Sequence, residues 1–276
     1  MKGRTKALFA AVAVWAAAAP FSFAGPGSVV SSFDARPGYR LYVQGIFRDS
    51  TDVYAVVGDF TNNFNRLYKY TPSGSLVGTA GVVEGPRCSY GDADHSTLGP
   101  GYFAIIYGGN SVRDIDLATG SVVASWAPFA DMYGYAYAPG GAYKYVLVGG
   151  RTVYRFTTAG SLVNSFGVAG GKSLAASDSF GGRPGEFVLI GGDGTVKVYS
   201  GVGSPVRTFV VPKSPYFRYY TAICGPGYPA ECNTTLWAHF KDYMPPWDRD
   251  YIYQVSLGNG VPVEPASVGK IKALYR

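Results

Sequence analysis

Gly120-Ser121-Val122-Val123-Ala124-Ser125-Trp126 is one copy of a short phrase whose repetition decides the fold. The phrase recurs as Gly27-Ser-Val-Val-Ser-Ser-Phe33 and as Gly160-Ser-Leu-Val-Asn-Ser-Phe166. Gly203-Ser-Pro-Val-Arg-Thr-Phe209 and Gly74-Ser-Leu-Val-Gly-Thr-Ala80 are looser copies, and Gly260-Val-Pro-Val263 is recognisable mainly by position. Successive glycines stand 47, 46, 40, 43 and 57 residues apart, the spacing expected of propeller blades.

A second element precedes the phrase. Leu67–Thr71, Val112–Asp116, Val153–Thr157, Val196–Ser200 and Ile252–Ser256 each read as apolar, two variable residues, apolar or aromatic, then a small turn-forming polar residue. Upstream of that lie continuous apolar runs, Val53–Val57, Phe103–Tyr107, Tyr143–Val148 and Phe187–Ile190, three of them followed by Gly-Gly at Gly108, Gly149 and Gly191. Short apolar runs bounded by turn residues read as strands buried on both faces. Each unit is therefore four short antiparallel strands, A to D, with the glycine phrase opening strand D. Such a sheet cannot stand alone, and packing copies around an axis covers its faces. Five A–D units fit between Tyr39 and Glu264, and the unpartnered D-like strand Gly27–Phe33 is expected to pair into the last blade and close the ring. The fold class is thus all-β, a β-propeller of five blades, or six if Ser267–Arg276 supplies further strands.

The first 24 residues read as a processing signal. Lys2, Arg4 and Lys6 precede a 13-residue apolar run, Ala7–Ala19, which is too short to span a bilayer. Pro20 breaks it, and Ser22-Phe23-Ala24 offers small residues to a signal peptidase, so cleavage is expected after Ala24. That divides the chain into a signal peptide, 1–24, and a single propeller domain, 25–276, secreted or periplasmic and in bacterial style, with no transmembrane segment. The three basic residues of the leader account for half of the net charge of +6. The remaining basic residues form no dense stripe, so no nucleic-acid partner is expected. An outer-membrane barrel is disfavoured, because its strands need about 9–11 strictly alternating residues. Export permits disulfides, and Cys224 and Cys232 bracket a turn-rich Gly-Pro-Gly-Tyr-Pro-Ala-Glu loop, which predicts a local bridge. Cys88 is then the odd thiol, read as a small buried hydrophobe.

The T-x-x-G-S-L-V-x-S-F ending, and the form Asp116-x-Ala-Thr-Gly-Ser-Val-Val123, resemble secreted bacterial propeller repeats of the NHL, YVTN and quinoprotein-like types. That resemblance implies a blade and leaves the activity open, since such repeats host lactonases, quinone enzymes and binding scaffolds. Tyr42-Val-Gln-Gly-Ile-Phe47 with Val53-Tyr54-Ala55 is similar to the opening of propeller-type glutaminyl cyclases, matching at Gln44 and Gly45. The position of that family's glutamate falls on Ala55.

Candidate chemistry is sparse. Asp92, Asp94 and His95 form the densest acidic cluster and would suit a hard cation such as calcium through carboxylate oxygens; no other cofactor is expected. Asp49, Asp94 and Asp178 fall at comparable places between strands A and B, which favours turn capping for Asp94. No G-x-S-x-G nucleophile motif or phosphate loop is present. The D–A and B–C loops emerge on one face, expected to carry Tyr39, Tyr133, Tyr135, Tyr216, Arg218 and Tyr219. A B–C insertion, Lys241–Arg249, would place Tyr243, Trp247 and Arg249 there as well. The expected function is a non-enzymatic binding or scaffold module taking a protein or glycan at that face. A cation-dependent enzyme of lactonase or glutaminyl-cyclase type and a structural cell-envelope component are the other two readings.

Overall fold

The computed structural model describes residues 26–35, 41–49, 51–59, 61–83, 90–137, 141–177, 186–200, 203–211, 217–224, 235–244 and 247–256. Twenty strands lie within them, arranged as five four-stranded antiparallel sheets. After β1 (Val29–Asp34), blade 1 is β2 (Leu41–Arg48), β3 (Val53–Asp59), β4 (Phe64–Tyr70) and β5 (Leu76–Val83). Blade 2 is β6 (Tyr90–His95), β7 (Tyr102–Tyr107), β8 (Ser111–Asp116) and β9 (Val122–Trp126). Blade 3 is β10 (Met132–Tyr137), β11 (Tyr143–Val148), β12 (Thr152–Thr157) and β13 (Leu162–Gly167). Blade 4 is β14 (Ser173–Ser177), β15 (Glu186–Ile190), β16 (Thr195–Tyr199) and β17 (Pro205–Val210). Blade 5 is β18 (Phe217–Cys224), β19 (Thr235–Met244), β20 (Trp247–Ser256) and, returning from the N-terminus, β1. The expected five-bladed propeller, closed by the N-terminal strand, is what the chain forms.

The apolar runs became the second strand of each blade for the reason their composition suggested. Every residue of β3 is buried, as are Phe103–Ile106 and Phe187–Ile190, because neighbouring blades cover both faces of the sheet. The first strands β2, β6, β10, β14 and β18 adjoin in that order around the axis, and β6 also approaches β14 and β18 across it. Bulges shift the register of β2 between Val43 and Gly45, of β6 between Tyr90 and Ala93, and of β10 between Met132 and Gly134. A Cβ on Gly45 would lie 2.3 Å from the Gly91 carbonyl oxygen of the next blade, so the inner strands approach at backbone distance.

The repeated phrase builds the C–D turn. Gly74, Gly120, Gly160 and Gly203 all hold positive φ, between 74° and 93°. Each N–H donates back to the polar residue that ends strand C: Gly74 to Thr71, Gly120 to Asp116, Gly160 to Thr157 and Gly203 to Ser200. That residue's own N–H donates to the serine after the glycine. Blade 5 makes the same two bonds without a connecting turn. Gly27 N–H donates to the Ser256 carbonyl at 2.8 Å, and Ser256 N–H to that of Ser28 at 2.8 Å. The ring is therefore cut inside a C–D turn, and β1 takes the fourth place of blade 5. The Gly260 copy lies outside the described residues.

The two ends of the phrase interlock between blades. A Cβ on Gly74 would fall 2.3 Å from Phe33, one on Gly203 2.3 Å from Phe166, and one on Gly160 3.4 Å from Trp126. For Gly27 the neighbours are Phe209 at 3.1 Å and the Val210 carbonyl at 2.6 Å. The glycine of each blade thus seats the aromatic that ends the phrase in the preceding blade. Where that aromatic is Ala80, Gly81 comes against Thr119 and Gly120 backbone instead. The aliphatic pair between them stays outside: Leu76, Val77, Leu162 and Val163 are exposed along the outer edge.

Two expectations are corrected here. Among the described residues no cysteine pair lies at disulfide distance. Cys224 belongs to the strand ladder of β18, opposite Trp237, rather than to a free turn, and a bridge needs Cα atoms about 4.4–6.8 Å apart; Cys232 and Cys88 lie outside the described residues. Within the supposed insertion Lys241–Arg249, residues 241–244 and 247–249 are strand: β19 and β20 pair continuously from Thr235 opposite Ser256 to Met244 opposite Trp247. No helix among the described residues is long and apolar enough to cross a membrane.

The interlock predicts that Gly203→Ala costs about 3 kcal/mol, from a strained left-handed alanine and overpacking on Phe166. Urea denaturation of Gly203→Ala, Phe166→Ala and the double variant should show coupling of about 1 kcal/mol. Equal loss from Gly203→Ala in both backgrounds would remove the interlock from the account.

Candidate functional site

The acidic cluster sits on β6, at the axis. Asp92 and Asp94 are both buried, on the same side of the strand, two residues apart. Asp92 Oδ2 accepts the N–H of Leu174 on β14 at 3.0 Å and that of Tyr135 on β10 at 3.2 Å. Its Oδ1 shares a short hydrogen bond with the Ser173 hydroxyl. One carboxyl group therefore joins the first strands of blades 2, 3 and 4. Gly134 lets β10 approach β14 closely there, since a Cβ on it would lie 2.9 Å from the Leu174 nitrogen that Asp92 engages. Burial pushes the Asp92 carboxyl well above its ordinary value, the hydrogen bonds opposing. A neutral acid fits these partners, with one oxygen accepting two N–H groups and the other presenting a hydroxyl to Ser173.

Asp94 is not a turn cap. It lies within the ladder, where its Oδ1 meets His95 Nδ1 and the His95 N–H, each at 2.9 Å, and its Oδ2 accepts the Tyr137 N–H at 3.3 Å. Burial raises its pKa, with His95 opposing. Capping is the work of Asp49, which accepts the Thr51 and Asp52 N–H groups at 2.8 and 2.7 Å between β2 and β3. Asp178 lies outside the described residues. Among the described residues no three His, Cys, Asp or Glu side chains gather closely enough to hold a metal ion. The oxygens of Asp92 are taken by donors from β10 and β14, and those of Asp94 by His95 on its own strand and by β10, so the cluster ties blades together.

Gln44 and Gly45 also have structural partners. Gln44 Nε2 donates to Asn65 Oδ1 at 2.6 Å, and Ala55, opposite Ile46, is fully buried in the middle of β3. The glutamate position of the cyclase resemblance is thus inside a blade, away from solvent. A histidine–carboxylate pair that sequence reasoning passed over, His239 Nε2 to Asp250 Oδ1 at 2.9 Å, is likewise fully buried between β19 and β20.

The face carrying the D–A and B–C loops holds a groove. It lies between blades 3 and 4, has a volume of about 500 Å³, and runs from Tyr133 on β10 to Lys197 on β16. Its walls are the β11–β12 turn Gly149–Arg151, the link Ala169–Lys172 into β14, and the β15–β16 turn at Gly191–Asp193. Glycines open it. Gly149 and Gly150 take φ of 58° and 67°, which is the conformation of a two-residue hairpin turn. A Cβ on Gly171 would strike Leu189 at 2.7 Å, so the floor is bare backbone. Lys172 Nζ sits 5.1 Å from the centre of the Tyr133 ring, and Lys197 Nζ donates to the Ala169 carbonyl at 3.0 Å. Asp193 accepts the Thr195 N–H and hydroxyl at 2.9 and 2.8 Å.

Of the aromatic residues expected on this face, Tyr133 is exposed and lines the groove, whereas Tyr135 is buried. Residues two apart share a face in a regular strand, but the bulge in β10 between Met132 and Gly134 breaks that alternation, leaving Tyr133 in the groove and packing Tyr135 against Ala104 and Ile106 of blade 2. Arg218 and Tyr219 lie on β18, Tyr243 on β19, and Trp247 and Arg249 on β20, so each is a strand residue. Tyr39 and Tyr216 fall outside the described residues. Arg151, Lys172, Asp193 and Lys197 were missed. The available signal was the Gly-Gly pair at the same blade position in Gly149 and Gly191, each followed closely by a charged residue.

An acid whose pKa rises on folding contributes stability that is present below its unfolded value, near 3.8, and lost as pH climbs toward the folded one. Asp59, lowered by hydrogen bonds from Asn62, works in the opposite direction, so the comparison must be with a variant at position 92. Asp92→Asn copies the neutral acid and should be tolerated, gaining on the native chain as pH rises from 4 to 8. Asp92→Ala removes the acceptor of two amide N–H groups and a hydroxyl and should cost about 3 kcal/mol. Urea denaturation across that range checks both; an Asn variant weakened at every pH would mean that the ionised form is required.

No family model matches the chain and no curated protein matches it, so the five-bladed fold and its groove are the firm ground for any functional reading.

Proposed function

We propose that this is an exported, non-enzymatic binding module that captures a glycan in the groove between blades 3 and 4. The groove itself carries the reading. Its volume, about 500 Å³, is within the usual range of ligand sites, roughly 300–1,000 Å³. Its lining is one tyrosine, four charged side chains, a threonine and bare glycine backbone, with Ala169 the sole aliphatic side chain. Peptide recognition relies on apolar anchors seated in desolvated pockets. Sugars call instead for dense polar groups beside an aromatic ring, which Tyr133 supplies. The loop-face position agrees with rigid strands holding hairpin turns at fixed distances. The leader-like residues 1–24 support export, and the occupied oxygens of Asp92 and Asp94 favour binding over cation chemistry.

Gly192 offers a clean test. Its φ is not left-handed, and a Cβ there would meet only Lys172, at 3.5 and 3.7 Å. Gly192→Trp should therefore fold normally while filling the groove. On a glycan array the native chain should bind, and the variant should bind at least tenfold more weakly at an unchanged melting temperature. Equal binding by a folded Gly192→Trp chain would place the site elsewhere.

A further inference from the structure

We propose that the groove selects acidic glycans, chains bearing carboxylate or sulfate groups, over neutral ones; this rests on the groove being the binding site. The charges around it are unequal. Arg151 on the β11–β12 turn, Lys172 at the entrance to β14 and Lys197 on β16 approach from three separate elements of two blades. Within the lining they face a single carboxylate, Asp193, which already receives two hydrogen bonds from Thr195. Asp131 stands at the rim beside Gly149, and three cations still outnumber two acids.

The geometry suits an anion held beside a sugar ring. Arg151 and Lys172 are both exposed, so neither has given up its water to a buried partner. Lys172 stands over the Tyr133 ring, which places a positive charge next to the surface on which a sugar would lie. A guanidinium binds carboxylate or sulfate in a bidentate fork, whereas the lysines act as point charges. The glycine floor keeps out any side chain that would separate these cations from a ligand. An acidic peptide would satisfy the charges and leave the tyrosine and the bare backbone without a matching group.

Titration calorimetry with four probes tests the assignment: polygalacturonate, dextran sulfate, neutral dextran and poly-glutamate. Polygalacturonate or dextran sulfate should bind at least tenfold more tightly than dextran, and the two together show which acidic group is preferred. Affinity should fall between 50 and 300 mM salt, as contacts between exposed charges do. Arg151→Ala with Lys172→Ala should lose that preference at an unchanged melting temperature, and Gly192→Trp, which keeps every charge, should lose binding altogether. Binding of acidic chains retained in Gly192→Trp would mean diffuse attraction to the basic surface and overturn the proposal. Dextran bound as tightly as the acidic chains, and displaced by Gly192→Trp, would overturn it while leaving the groove as a glycan site. Poly-glutamate binding as well as the acidic glycans would assign the groove to acidic peptide, and failure of all four probes would remove both readings.

Discussion

The contact between a left-handed glycine in one blade and the aromatic ring ending the same phrase in the blade before it is the constraint on which the ring depends. Gly74 on Phe33, Gly160 on Trp126 and Gly203 on Phe166 repeat one joint around the circle. Glycine suits these positions because the backbone is left-handed at all three, and at Gly74 and Gly203 the ring also occupies the space of a Cβ. The joint also explains why the chain closes with its N-terminal strand. β1 carries the phrase, so it supplies Phe33 for Gly74 of blade 1 and seats Gly27 on Phe209 of blade 4. Both joints flanking blade 5 are completed by one seven-residue copy of the phrase, Gly27–Phe33.

Inside that ring the axis is sealed by polar groups. Asp92 reaches from blade 2 to blades 3 and 4, and Gly134 lets blade 3 come against Leu174 of blade 4 at backbone distance. The arrangement uses a buried acid as a hydrogen-bonding hub, at the cost of disfavouring its charged form. The loop face is left to hairpin turns, and between blades 3 and 4 their glycines open the groove. The same residue type therefore closes the structure at its edge and opens it at its face. What differs is whether an aromatic ring or solvent lies opposite.

Much of the fold was legible because repetition supplies its own alignment. The polar residue ending strand C, the glycine three or four residues later and the terminal aromatic could be matched copy against copy, and each has a defined bond or contact in the structure. The site was far less legible. Tyr133 and Tyr135 are alike in sequence, and only the bulge of β10, which interrupts the pleat, sends one into the groove and the other into the core between blades 2 and 3. Asp94 and Asp49 were grouped by position between strands, yet the strand β6 continues one residue past Asp94 while β2 ends before Asp49. Pro245 and Pro246 suggested a loop, but the hairpin carries its ladder to the residues on either side of them.

By itself the sequence favoured five blades over six and determined the four-strand order within each and the closing role of the first strand, because these follow from local periodicity and turn chemistry repeated at fixed spacing. The cation groove and the Asp92 hub were decided only by tertiary structure. Arg151, Lys172 and Lys197 are separated by 21 and 25 residues, and they share one groove only because adjacent blades bring matching turns side by side. Periodicity specifies where a strand runs. The relation between neighbouring strands in different sheets depends on register, twist and packing, and those are properties of the assembled ring.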